Sequence, residues 1–170
     1  IKYTSPLAML SLSGDPGLQL ATSIHFAYTR VNYRTPQLAP AQGYQHEKIR
    51  IGFLSSDFCM HAVSLLTVEL FELFDRQRFE LYGFCWSNED GSEVRARVIK
   101  AMDHFIRIKD LDDVAAAHCI VSHEIDVLVD LHGLTSGARP NIVAAKPAPV
   151  QMTYLGFPGP TGLPGIDYVF

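Results

Sequence analysis

Apolar positions along this chain change their rhythm near residue 48. Before it, Leu18, Leu20, Ala21, Ile24, Ala27 and Tyr28 recur at helical spacing, behind Asp15-Pro16, a good N-cap and first-turn pair. The pattern predicts a helix from Gly17 to about Tyr33. Residues 34–47 carry two prolines and no periodicity, so they read as a linker. From Lys48 onward short apolar runs alternate with amphipathic stretches. Strands are expected at 49–54, 79–85, 104–108, 125–131 and 150–155. Helices are expected at 65–74, from the 87–92 loop to about Met102, at 111–124, and near 141–145. The run Ile125-Asp126-Val127-Leu128-Val129-Asp130-Leu131 is nearly continuous, as suits a central parallel strand buried on both faces. Such alternation means βαβ units: an α/β, Rossmann-like parallel sheet with helices on both faces, preceded by a helical segment. The closing Ile166-Asp167-Tyr168-Val169-Phe170 looks like a strand cut in the middle.

Composition narrows the class. At 170 residues the chain suits one ordinary domain, and 48% hydrophobic content is enough for a packed core. No apolar run approaches the ~18–20 residues that span a bilayer, so no membrane partner is expected. Net charge is −4, from 14 Lys+Arg against 18 Asp+Glu, which disfavours a nucleic-acid groove. The most basic stretch, Arg95-Ala96-Arg97-Val98-Ile99-Lys100, reads as a solvated helix face. Three cysteines, Cys59, Cys85 and Cys119, form no CxxC pair, and a reduced, cytoplasmic setting is the natural reading.

In doubly wound sheets ligands sit beyond the carboxyl ends of the strands, so the loops there carry the candidate chemistry. The first, 55–64, holds His61, whose imidazole can accept a proton from an attacking hydroxyl; capping or packing against the next helix is the competing role. The second, 130–140, offers His132, Thr135, Ser136, two glycines and Arg139. Arg139 could fork a phosphate or carboxylate, or pair with a structural acid. The third, 155–165, is rich in Gly and Pro but is no Walker loop, and Gly52 alone makes no GxGxxG. Cys119 and His123 stand four apart on one helix, but no second pair completes a zinc set, so no metal is expected. Ser56, Asp57 and His61 could form a hydrolytic triad on paper, but no G-x-S-x-G elbow supports one.

Taken in order, these loops resemble the catalytic region of the O-linked N-acetylglucosamine transferase and Spindly-type protein O-glycosyltransferases, most of all bacterial members. The residues that carry the resemblance are Ile49-Arg50-Ile51-Gly52-Phe53-Leu54-Ser55-Ser56-Asp57-Phe58-Cys59-Met60-His61, the following 64–72 and Asp90-Gly91-Ser92. Downstream they are Asp130-Leu131-His132-Gly133, Gly137-Ala138-Arg139-Pro140, Lys146-Pro147-Ala148-Pro149, Tyr154-Leu155-Gly156-Phe157-Pro158-Gly159 and Ile166-Asp167-Tyr168-Val169. Ala62 and Leu134 depart from the residues usual there, Pro and Tyr. The resemblance implies the N-terminal lobe of a GT-B glycosyltransferase over 48–170. Residues 1–47 would then be the helix and linker that join it to a tetratricopeptide-type array. The implied reaction is inverting, metal-independent transfer of N-acetylglucosamine from UDP-N-acetylglucosamine to Ser/Thr of proteins, with no cofactor. The alternatives are a GDP-fucose-dependent O-fucosyltransferase or a non-catalytic scaffold module. The resemblance makes His61 the candidate catalytic residue and Ser56, Asp57, Thr135, Arg139, Pro158 and Gly159 the candidate substrate-binding set. It also implies nucleotide-binding residues in a second, C-terminal lobe missing from these 170 residues, so the isolated chain is expected to be inactive. The expected partners are protein acceptors and the nucleotide sugar.

Overall fold

The computed structural model describes residues 4–32 and 37–170. Tyr33, where the first helix is expected to end, and the first residues of the expected linker lie outside the described residues. Two helices precede the sheet rather than one: α1 (Pro6–Leu12) and α2 (Pro16–Arg30). Ser5 caps α1 by accepting the Ala8 N–H at 3.2 Å. Asp15 caps α2 through the N–H groups of Gly17 and Leu18, at 2.8 and 3.4 Å. Seven residues are too few for a helical period to declare itself, which is why α1 escapes a periodicity reading. Residues 37–47 are irregular but anchored. Leu38 and Ala39 donate their N–H groups to the carbonyls of Ala145 and Lys146, both at 3.0 Å. The two ring nitrogens of His46 face Glu124 and Asp126 at 3.1 and 3.0 Å, and these hydrogen bonds, Glu124's above all, raise its pKa.

Six parallel strands follow: β1 (Ile49–Ser55), β2 (Phe79–Cys85), β3 (His104–Arg107), β4 (Val127–Asp130), β5 (Val150–Thr153) and β6 (Tyr168–Val169), in the order β3-β2-β1-β4-β5-β6. Four helices connect them: α3 (Ala62–Leu73), α4 (Glu93–Ala101), α5 (Asp113–Ser122) and α6 (Pro140–Ala144). The run at 166–170 therefore holds a strand, paired with β5 through Met152↔Tyr168 and Thr153↔Val169.

Period-two alternation sends each strand's side chains to two cores. Ile51, Phe53, Leu81, Cys85 and Val129 pack with α3 and α4 through Val68, Phe71, Val94 and Val98. Leu54, Tyr82, Phe84 and Leu128 pack on the other face with α5 and α6 through Ala116, Ile120, Ile142 and Val143. A third cluster joins α2 to the loops after β4 and β5: Ala27 and Val31 meet Leu134, Phe157 and Leu163.

Strand order reverses at β1, which has β2 on one side and β4 on the other. The carboxyl ends of β1 and β4 therefore open the crevice where doubly wound sheets hold ligands.

Candidate active site

The loops after β1, β2, β4 and β5 meet at this edge, and backbone chemistry sets each one. Asp130 ends β4 almost fully buried, 4% exposed, and its two carboxylate oxygens accept the N–H groups of His132 and Gly133, both at 2.9 Å. Burial outweighs those two bonds and pushes its pKa up to about 6. Gly133 has φ +57°, and a Cβ there would lie 2.4 Å from Cβ of Phe157, so only glycine turns the chain against the β5 loop.

The turn drives His132 inward, where it is 3% exposed. Its Nε2 lies 2.6 Å from Ser56 Oγ, and its Nδ1 lies 2.8 Å from Thr135 Oγ1. The Trp86 indole stacks on it at 5.2 Å and donates its own N–H to the Gly137 carbonyl at 3.2 Å. One imidazole thus ties together the loops after β1, β2 and β4. Burial lowers its pKa and keeps it neutral. The Ser56 hydroxyl donates to Asp57 Oδ1 at 3.2 Å. With the Ser56 proton given to Asp57, the His132 Nε2–H donates to Ser56, and Nδ1 competes with the His132 carbonyl, 3.0 Å from Thr135 Oγ1, for the single Thr135 hydroxyl proton. Asp57 Oδ2, 3.4 Å from the same Nε2, favours that proton position.

His61 stands at the mouth of the crevice, 48% exposed. It is the N-cap of α3: its Nδ1 accepts the Val63 N–H at 3.3 Å. That cap explains why α3 begins at Ala62 and not near Leu65. Asp57 Oδ2 lies 3.6 Å from the same Nδ1. The rest of the loop is held from β2 and α4. Asp90 accepts the Met60 N–H at 2.6 Å, and this bond with that from the Ser92 N–H holds its carboxyl below the usual range.

Arg95 is 4% exposed, and here the expected solvated face is corrected. Its guanidinium donates to the Phe58 carbonyl and Ser87 Oγ, both at 2.6 Å, and grips Glu89 at 2.9 and 2.5 Å. Helical rotation separates it from Arg97, which pairs with Glu72, and from exposed Lys100.

The structure thus brings Ser56, Asp57, His61 and Thr135 around His132. It does not assemble the paper triad, since Ser56 meets His132 and not His61. Arg139 takes the structural option. Its Nε donates to Asp113 at 2.7 Å, and its other nitrogens donate to the carbonyls of Ile108 and Leu111 at 3.0 and 2.7 Å. That geometry leaves no open fork, and Arg139 instead fastens the loop after β4 to the start of α5. Pro158 is exposed, and Gly159 faces Leu10 of α1, where a Cβ would lie 2.8 Å from Leu10 Cδ2. Phe157 bridges Gly133 and Gly159, which links this pair to the crevice only indirectly.

Local sequence patterns do not single out His132 as a hub, Asp130 as an anchor, Trp86 as the ring stacked on that hub or Arg95 as a clamp. The strand-ending Asp130 followed by His132-Gly133 was the available signal. The Cys119–His123 pair is a helix end: the His123 Nδ1 meets the Cys119 carbonyl at 2.7 Å. Among the described residues no group of three or more His, Cys, Asp or Glu could hold a metal ion, and no helix is long and apolar enough to cross a membrane.

Comparison with known proteins bears on this arrangement. The model of glycosyl transferase family 41 matches residues 24–170. The chain is 38% identical over 123 residues to the probable UDP-N-acetylglucosamine–peptide N-acetylglucosaminyltransferase SEC of Arabidopsis thaliana, covering 72% of this chain and 13% of that protein. It is 34% identical over 124 residues to the UDP-N-acetylglucosamine–peptide N-acetylglucosaminyltransferase of Caenorhabditis elegans, covering 72% of this chain and 11% of that one. The chain therefore spans only a small part of the length of these relatives. A solved mutant O-GlcNAc transferase of Thermobaculum terrenum has the same fold over 96% of this chain and 32% of its own, with TM-score 0.81 and 24% identity. With 147 of its 170 residues under the family model, the chain belongs to glycosyl transferase family 41.

Proposed function

We propose that this chain is the acceptor-side lobe of an inverting protein O-glycosyltransferase that moves N-acetylglucosamine from UDP-N-acetylglucosamine to Ser or Thr of proteins. The observation that carries the reading is the half-exposed His61 at the strand-order reversal, beside Asp57 and above the His132 hub. In this reading the His61 imidazole takes the proton from the acceptor hydroxyl. The freed oxygen bonds to the anomeric carbon from the face opposite the diphosphate, and the carbon–oxygen bond to the diphosphate breaks with its electron pair leaving on UDP. Ser56, Asp57 and Thr135 form the polar wall of the acceptor side. Pro158 and Gly159 form its outer rim. The charge on the departing diphosphate needs cationic groups or helix N-termini, which this reading assigns to a second lobe. Residues 1–47 then join the catalytic region to a tetratricopeptide-type array, and the enzyme works in the cytoplasm without a metal.

The test is sugar transfer to a protein acceptor by a complete polypeptide that contains this chain, with UDP-N-acetylglucosamine and GDP-fucose compared as donors. His61→Ala should lower kcat by about 100-fold or more, the usual worth of a general base, while the protein stays folded with only the loss of the α3 cap, about 1 kcal/mol. Near-normal turnover in that variant removes His61 from the chemistry. Preference for GDP-fucose overturns the donor assignment. Transfer by the isolated 170 residues overturns the division into lobes.

A further inference from the structure

Nδ1 of His61 has two suitors, and it can satisfy only one of them. As the α3 cap it accepts the Val63 N–H at 3.3 Å, which requires a lone pair on Nδ1 and places the ring proton on Nε2. The outward nitrogen is then a donor and useless as a base. Turned toward Asp57 Oδ2, now 3.6 Å away, Nδ1 carries the proton, and the outward Nε2 becomes an open acceptor.

From this competition we infer that Asp57 is a positioning residue: its carboxylate selects the His61 tautomer that leaves Nε2 free. The inference rests on the proposed role of His61 and deepens it. Three features support it. The cap bond is long and joins two neutral groups, whereas an N–H donated to a carboxylate is charge-assisted and roughly twice as strong. Closing 3.6 Å to hydrogen-bond length asks only a small rotation of a half-exposed ring. Asp57 itself is fixed: its N–H donates to Ser55 Oγ at 2.9 Å, its carbonyl accepts the Ser64 hydroxyl at 2.6 Å, and its Oδ1 accepts the Ser56 hydroxyl. The buried His132 completes the setting, because its Nε2, 3.4 Å from Oδ2, holds the carboxylate at the mouth of the crevice from the inner side. A carboxylate between a sealed imidazole and an open one is thereby placed to orient the open one.

Long-range proton–nitrogen NMR correlation on the isotope-labelled 170-residue chain reads the tautomer of each neutral histidine. His118, exposed on α5, is the internal reference. In the unmodified chain His61 should show the Nδ1–H form at least about threefold more than His118 does, given a charge-assisted bond against a neutral one. Asp57→Asn should bring His61 down to the His118 ratio or below it, and Asp57→Glu should restore part of the excess. An unmodified chain whose His61 matches His118 overturns the inference even if the variants do not fold. So does an unchanged His61 ratio in Asp57→Asn. The readout is independent of turnover, so the tautomer selection can fail while His61 remains the base. His61→Ala can likewise stay active while the selection stands.

Discussion

Asp130 makes stability depend on pH in a direction opposite to most carboxylates. Its folded pKa of about 6 stands above the ordinary 3.8, so between these values the folded chain binds a proton that the unfolded chain has released. The contribution to stability is fully present below 3.8 and is lost as pH rises through about 6. The full rise corresponds to about 3 kcal/mol, and about 2 of that falls between about pH 4.5 and about pH 7.5. Exposure of 4% leaves little solvent to screen the effect. Glu72, Glu80, Glu89, Asp90 and Glu124 have lowered pKa values and stabilise the fold as pH rises, so the raw curve mixes both signs. Asp130→Asn isolates the contribution of this one group. Asparagine keeps one acceptor oxygen and sets an amide against the second backbone N–H, a loss of about 1–3 kcal/mol at any pH. It has no charge to bury, however. Urea unfolding of both proteins at about pH 4.5 and about pH 7.5 should therefore show the deficit of the variant shrinking by about 2 kcal/mol at the higher pH. A deficit equal at the two pH values within about 0.5 kcal/mol would refute the reasoning, because Asp130 would then share its pKa with the unfolded chain.

Two further substitutions probe the loops that hold the crevice. Gly133→Ala meets both a positive φ and Phe157 at 2.4 Å, and should cost about 2–5 kcal/mol in urea unfolding; Gly14→Ala, with nothing within 4 Å, should cost under about 1. Arg95→Met keeps the stem but takes the guanidinium from the Phe58 carbonyl and Ser87 Oγ, leaving them only their mutual 3.3 Å bond and the Cys85 thiol beside Ser87. It should cost about 2–4 kcal/mol and speed hydrogen exchange at Met60 and His61; a loss below about 1 kcal/mol would return Arg95 to the surface role its sequence suggests.

How far the fold was legible follows from where the information lies. Apolar periodicity and βαβ alternation are local properties, so the strands of the parallel sheet and the helices between them could be read from residue order, including the strand at 168–169. The short α1 could not, because seven residues hold too little period. The start of α3 could not either, since it depends on which way the His61 ring turns. The loops expected to carry chemistry are the loops at the crevice, because strand polarity alone sends them to one edge.

What those loops do was decided by contacts between residues far apart in sequence. Ser56 and His132 are 76 positions apart and share a 2.6 Å hydrogen bond. Arg139 reads as a candidate anion fork, yet the carbonyls of Ile108 and Leu111 and the carboxylate of Asp113 occupy it. Arg95 reads as solvated, yet it clamps the loop that bears His61. A side chain's role depends on which donors and acceptors surround it and on how much water remains, and both are set by the packed chain as a whole. The sequence by itself determined a doubly wound sheet with its polar loops gathered at one edge. Only the tertiary structure decided that one sealed histidine would organise that edge and leave another open at its mouth.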